Sequence, residues 1–362
     1  MSSPWTKRVT RTLASSTTLA LVLFGTALTG SARAANVSCG QVLTTSTVLD
    51  GDVGPCASDG VIMGADNITL NLNGHRIYGV PSQGEGVGIR IEGRHGVQVH
   101  SGRATDFDAG IAILGGSNNV VRKITARNNK GSFRTDFGDG IAVSSSTDNV
   151  IQNNNVIHNG PYDGIGLFGN SRRNEIRGNV VKDNNIEFSQ FVNQDDGIRL
   201  EPGTQNNVVV ENKVTGSGLD GIAVFFRSPD NIIRGNVSNG NGFHDKAHRK
   251  GDGIRLFLQA DDSLVRANQV FRNAANGIRV DSQSNRIFDN RTGGNASAPN
   301  PAAAYDLHDT NTDPPCDANV WLNNTFNTAF PQCTTTGGGS QADRSSVRTA
   351  QPASEPPLER LR

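Results

Sequence analysis

The chain has 362 residues, with 34 Lys and Arg against 34 Asp and Glu, so it lacks the basic excess that a nucleic-acid-binding surface requires. Its four cysteines come without a Cys-x-x-Cys motif or a cluster of His, which argues against a zinc site. Beyond the first residues no stretch is apolar and long enough to span a membrane.

Residues 1–34 read as an export signal. Lys7, Arg8 and Arg11 precede an apolar stretch from Leu19 to Leu28, and Ala32-Arg33-Ala34 is a small-residue cleavage site. Cleavage after Ala34 leaves 30 basic against 34 acidic residues. Paired arginines of the twin-arginine kind are absent, and Cys39 lacks the small apolar residues that precede a lipidated cysteine. The expected location is therefore secreted, either extracellular or periplasmic. Cys39 and Cys56 fall in residues 35–80, the expected N-terminal cap, and Cys316 and Cys333 in residues 301–333, the expected C-terminal cap. An even count in an exported chain predicts two disulfides, each stapling one end of what lies between.

Residues 81–300 are the repeats. A Gly-Ile-x-[Ile/Leu/Val] tetrapeptide begins at Gly88, Gly110, Gly140, Gly164, Gly197, Gly221, Gly253 and Gly277, at spacings of 22 to 33 residues, the size of one solenoid turn. A second run follows in phase, as in Asn149-Val150-Ile151 and Asn231-Ile232-Ile233, and a third in several turns, as in Asn155-Val156-Ile157 and Asn212-Lys213-Val214. These runs are too short for helices and are separated by Asn, Gly and Asp. The predicted fold is all-β: a right-handed parallel β-helix, a single-stranded solenoid with three strands per coil and disulfide-stapled caps. The recurrent Asn residues suit corners that need positive φ, and their side chains can hydrogen-bond from coil to coil. After Cys333, residues 334–362 are Thr, Gly, Ser, Gln and Pro with scattered charge and are expected to be a disordered tail.

The segment Asp66-Asn67-Ile68-Thr69-Leu70-Asn71-Leu72-Asn73-Gly74-His75 resembles the N-terminal cap of secreted bacterial right-handed parallel β-helix repeat proteins of the pectin-lyase-like superfamily. Asp306-Leu307-His308-Asp309, followed by Cys316, Trp321, Asn323-Asn324-Thr325-Phe326 and Cys333, is similar to their C-terminal cap. The resemblance spans roughly residues 39 to 333. It implies the fold, and it leaves the activity open among lyases, epimerases, hydrolases and proteins without chemistry.

Alternation along a strand puts Ile and Leu of each Gly-Ile-x-Leu in the core and x outside. Lining up the coils gives an outer row of Arg90, Ala112, Ala142, Gly166, Arg199, Ala223, Arg255 and Arg279, and a second row holding Phe168, Glu201, Phe225, Phe257 and Asp281. Arg199, Arg255, Arg279, Glu201 and exposed Phe168, Phe225 and Phe257 form a candidate substrate face for an acidic polysaccharide. Arg pairs bidentately with a uronate, and an aromatic face stacks on a sugar ring. Equally, the arginines can pair with Glu201 and Asp281 while the phenylalanines pack under a loop.

Just before each Gly stands Asp139, Asp163, Asp196, Asp220 or Asp252, continued by Asn276. Five stacked carboxylates repel one another unless each bonds amides of its own turn or they share a cation. Asp163, Asp196 and Asp220 are thus candidate Ca²⁺ ligands, and Asp195, Asp196 and Asp220 candidate catalytic acids. Insertions before the same corner in alternate coils add a loop with His244, Asp245, Lys246, His248, Arg249 and Lys250, in which His248 and Lys250 are the candidate bases.

Three functions fit these residues. The first is a lyase or C5-epimerase on a uronic-acid polymer, with Arg199 and Arg255 neutralising the carboxylate and His248 or Lys250 removing the proton. The second is an inverting hydrolase: Gln194-Asp195-Asp196, Asp163-Gly164 and Arg255 resemble polygalacturonase motifs, although Asp220-Gly221-Ile222 stands where that family has Gly-His-Gly. The third is a glycan-binding or surface protein without catalysis. No feature of the sequence encodes an oligomeric state.

Overall fold

The computed structural model describes residues 33–81, 86–131, 137–185, 196–243, 251–296, 304–311, 315–316, 318–335 and 340–341. Contacts divide the chain between Ser31 and Ala32; the expected signal segment before residue 33 lies outside the described residues. Among these the structure is strand, turn and one short 3-10 helix, Gln332–Thr335, and no helix is long and apolar enough to cross a membrane.

Every strand pairs in parallel with its counterpart one coil away. A twelve-stranded sheet takes the Gly-Ile-x-Leu strands in chain order, from Gln41–Leu43 to Ala329–Phe330. A twenty-two-stranded sheet takes the other two strands of each coil. Those two columns are fused near the N-terminus because Gln98–Thr105 and Val120–Arg127 run through both; Val120–Arg127 pairs with Val150–Gln152 and, further along, with Asn155–Ile157. From Val150 onward the predicted three strands per coil are separate. Stacked Ile, Leu and Val fill the inside of the coils, of which Ile111, Ile141, Ile165, Ile198, Ile222 and Ile254 are fully buried.

Corners are built from left-handed residues at fixed places. One column holds Lys123, Asn153, Gly178, Glu211, Gly235, Ala267, Asp289 and Asn323, all with φ between 53° and 64°. Only glycine takes that conformation without strain. Ala267, exposed at φ 54°, is therefore a site where Ala267→Gly stabilises the helix by about 1 kcal/mol. A rise in thermal midpoint checks this; an unchanged or lower one contradicts it.

Between the corners run buried Asn ladders. In one, Asn154, Asn179, Asn212, Asn236, Asn268, Asn290 and Asn324 stack, each Oδ1 accepting both the backbone N–H and the Nδ2–H of the preceding Asn at 2.9–3.0 Å. This is the coil-to-coil bonding expected from the sequence.

The cap segments prove to be coiled themselves. Residues 35–80 already contribute Gln41–Leu43 and Val61–Met63 to the twelve-stranded sheet, and residues 301–333 contribute Leu307–Asp309 and Ala329–Phe330. Arg33–Ala35 also pairs with Thr47–Leu49, so strand pairing starts inside the segment read as a signal. Disulfides join Cys39 to Cys56 and Cys316 to Cys333, with Cα atoms 5.4 and 6.2 Å apart. At the C-terminal end the aliphatic columns stop at Asp309 and Trp321, whose indole N–H donates to Asp309 Oδ2 at 2.9 Å. The expected tail starts too early at 334: Thr334 is buried in the 3-10 helix, and Ser340–Gln341 pairs with Thr325–Phe326.

Candidate functional site on the twelve-stranded sheet

The outer row reads as expected in register: Gly166 lies beside Arg199, then Ala223, Arg255, Arg279 and finally His308. Accessibility along it is uneven. In the first half, Ala112 and Ala142 are fully buried with Val87 and Ala109 in a small outer cluster, against which Leu114, Phe137 and Phe168 pack. The small residues are thus covered rather than forming an open floor, and half-buried Phe168 serves as part of the cover. Arg199 has 4% of its side chain exposed, Arg255 23% and Arg279 31%. Apart from Arg90, 23% exposed and paired with Asp59, the open part of the row is its C-terminal half.

The arginines meet the acids that the alternative reading named. Arg199 Nε lies 2.6 Å from Glu201 Oε1 and its Nη1 donates to Asp196 Oδ2 at 3.2 Å. Arg255 donates from Nε and Nη2 to Asp281 Oδ2 at 3.1 and 3.0 Å, while Arg279 Nε and Thr310 Oγ1 donate to Asp281 Oδ1 at 2.8 and 2.7 Å. Burial would raise Asp281, but the two guanidiniums and these hydrogen bonds outweigh it and hold the carboxyl below its usual range. Arg279 spends only Nε here. Among the described residues its terminal nitrogens have no hydrogen-bond partner, so its outer edge is available for a ligand.

Phe225 is not the exposed platform predicted. It is 8% exposed, sandwiched between the Arg199 guanidinium, 3.4 Å above its ring, and the Phe257 ring, stacked at 4.0 Å. Arg255 covers half-buried Phe257 in the same way at 3.8 Å. The strand Ile222–Val224 ends before Phe225, so strict alternation no longer holds there, and the exposed apolar positions pass to the next residues. Phe226 and Leu258 are 46% and 63% exposed, exposed apolar residues that sequence reasoning missed.

The aspartate column is bonded from coil to coil. Each Oδ1 accepts the backbone N–H one coil on: Asp139 from Asp163, Asp163 from Asp196, Asp196 from Asp220, Asp220 from Asp252, and Asp252 from Asn276, at 2.7–3.2 Å. It is a further ladder, built of acid. All five carboxyls are buried, so Asp196 and Asp220, taken as catalytic candidates, have no surface with which to meet a polymer directly. Burial pushes Asp139 to about 7 and Asp196 to about 6, and drives Asp163 and Asp220 well above the usual range, with like charges one coil away adding to both. Asp252 moves the same way, from the same burial, against the pull of Arg255. Asp196 and Asp252 have an arginine three residues on, whereas Asp220 has Ala223, and Asp220 Oδ2 is buried without a hydrogen-bond partner.

Among the described residues these oxygens do not converge on a Ca²⁺ site. Asp163, Asp196 and Asp220 each commit one oxygen to a backbone N–H. Among the described residues no three His, Cys, Asp or Glu side chains converge as metal ligands. Asp195, His248 and Lys250 lie outside the described residues. His158 is a left-handed corner residue 3.5 Å from Asp183.

At the open end the structure adds a group that the sequence reading had assigned to the cap. His308 sits in the outer row beside Arg279, edge-on to the stacked rings of Tyr305 and Phe330 at centroid distances of 5.2 and 6.1 Å.

The profile of the right handed beta helix region matches residues 59–238 and 185–343, in line with the parallel coils and their registers. The chain belongs to this family. Among solved structures, this right-handed β-helix protein is similar to pectate lyase Pel9A, at 16% identity over 80% of this chain and 74% of that one, with a TM-score of 0.53. It is similar also to the alginate lyase from Paenibacillus sp. str. FPU-7, at 15% identity over 76% and 89% of the two chains, TM-score 0.50. A third is the Dettilon tailspike protein, at 15% identity and TM-score 0.50, where the match takes 80% of this chain and 54%, about half, of the tailspike. At such identities the likeness is one of fold. No curated protein matches the chain.

Proposed function

We propose that this right-handed β-helix protein is exported and acts on an acidic polysaccharide laid across the outer row of its twelve-stranded sheet, removing the C5 proton of a uronate as a lyase or epimerase does. The observation that carries the reading is the outward-facing guanidinium pair, Arg255 and Arg279, clamped on Asp281, with Arg255 lying over Phe257. Stacked strands lie about 4.8 Å apart, so this row presents cations at intervals comparable to a sugar ring. Fixed positive charge at a uronate carboxylate stabilises the carbanion that C5-proton removal creates. The lyases that share the fold are named for pectate and alginate, and the two disulfides fit an oxidising compartment.

A grip without turnover is the second reading, favoured by the pairing of Arg199 and Arg255 with protein carboxylates. Inverting hydrolysis finds less support, since Asp196 and Asp220 are buried.

Binding of polyuronates by affinity electrophoresis tests the shared premise. Arg279→Ala removes one charge-assisted pair, about 1.5–3 kcal/mol, and is expected to weaken binding at least about tenfold. Arg266→Ala, on the other sheet and paired with Asp289, leaves it unchanged. Equal binding by both variants would overturn the proposed face.

A further inference from the structure

Of the four residues Asp306-Leu307-His308-Asp309, three serve the fold. Asp306 Oδ1 accepts the backbone and side-chain N–H of Asn295, ending an Asn ladder, Leu307 is fully buried, and buried Asp309 accepts the Trp321 indole. His308 alone of the four faces outward, half-buried, at the end of the arginine row.

Its tautomer follows from its neighbours. The backbone N–H of Tyr305 donates to Asn276 Oδ1 at 2.8 Å, which fixes that atom as an acceptor. His308 Nδ1 lies 3.1 Å from the same oxygen and must therefore be the donor, so in the neutral ring Nε2 carries the free lone pair. Tyr305 and Phe330, themselves stacked at 5.3 Å, both meet the imidazole at 67° and hold its plane. Burial, with Arg279 adding to it, lowers the His308 pKa against the opposing charges of Asp252, Asp281 and Asp309. The ring is accordingly neutral at neutral pH.

We infer that His308 is the general base of this face, with Nε2 directed at the C5–H of a uronate whose carboxylate is held by Arg279. This deepens the acidic-polysaccharide reading and rests on it. The step balances within the pair. Nε2 takes the C5 proton, and the electron pair of the broken C–H bond spreads into the carboxylate, whose charge Arg279 offsets. That pair then forms the C4=C5 double bond as the C4–O4 bond breaks. The imidazolium returns its proton to O4, and the neutral base is restored. No oxidant, reductant or further reactant enters.

The test uses the full chain, polyuronates as probe, and two readouts. His308→Gln is expected to lower formation of unsaturated product by at least about a hundredfold while polymer affinity changes less than about threefold, a smaller loss than one hydrogen bond. In the wild-type protein, diethyl pyrocarbonate should modify His308, read on its own peptide by mass spectrometry, and bound polymer should block that modification. Turnover retained by His308→Gln, or modification indifferent to bound polymer, overturns the assignment to His308 while the substrate reading stands. A wild-type protein that binds polymer and shields His308 yet neither forms unsaturated product nor exchanges the C5 hydrogen for deuterium from the solvent overturns the base role and leaves a binding face. Absence of any polymer binding fails the substrate reading, and the base assignment with it.

Discussion

Replacing Asp220 by Asn is expected to raise the urea midpoint at about pH 8 and to weaken its dependence on pH. The ladder shows why. Asp220 Oδ1 would go on accepting the N–H of Asp252, as a carboxamide oxygen can. The atom replacing the unpartnered Oδ2 would become a donor. Asn276 shows the arrangement one end of the column already uses, with Nδ2 donating to Asp252 Oδ1 at 2.8 Å. The substitution removes a buried acid flanked by Asp196 and Asp252. In the parent chain the folded-state pKa values of these acids lie above the unfolded value. Their contribution is therefore fully present below about pH 4 and is lost as pH rises through the folded values, about 6 for Asp196 and about 7 for Asp139. For Asp139 and Asp196, raised to about 7 and about 6, the cost at alkaline pH is on the order of 3 kcal/mol each. Urea midpoints measured between about pH 4 and pH 8 read this directly. A parent chain equally stable across that range, or an Asn variant that is weaker at the alkaline end, would show that the column is stabilised by its charge.

The second large effect lies in the Asn ladder. Asn212→Ala deletes the acceptor for the Asn179 backbone N–H and Nδ2, and the donor to the Ile176 carbonyl and Asn236 Oδ1. It leaves the buried Asn179 backbone N–H of the preceding coil without its acceptor, while Asn236 Oδ1 of the following coil keeps the backbone N–H of residue 212 and loses the side-chain donor. With 1–3 kcal/mol for an orphaned group and 0.5–1.5 for each lost bond, the expected cost is about 3–5 kcal/mol. Asn212→Ser is expected to cost less, since Ser263 Oγ does the same duty for the Asn231 N–H at 3.3 Å in the neighbouring ladder. Denaturant midpoints of the two variants should rank in that order. Equal, small losses would mean that the ladder contributes geometry without stability.

The fold was largely legible because its determinants are local and repeated. Each Gly-Ile-x-Leu marks a strand, each stacked Asn a rung, and pairing in parallel needs only that the same residue recur one coil later. The site was harder to read because it depends on where repetition stops. Phe225 was expected outside and Phe226 passed over, since the strand ends at Val224 and the alternation with it. The Asp column was recognised, but its bonds run to the next coil rather than to its own turn. Nothing in a single repeat shows that direction. His308 escaped because its environment is assembled from Asn276, Arg279 and Phe330, which come together only when the last coils stack.

The most direct measurement is ultraviolet absorbance of the C4=C5 double bond that elimination places next to a uronate carboxylate, followed with the full chain on polyuronates of differing composition. The account predicts a signal that rises on at least one of them and is lost in Arg279→Ala. No signal and no exchange of the C5 hydrogen for solvent deuterium on any polyuronate that the protein binds, or an undiminished signal in Arg279→Ala, would contradict it.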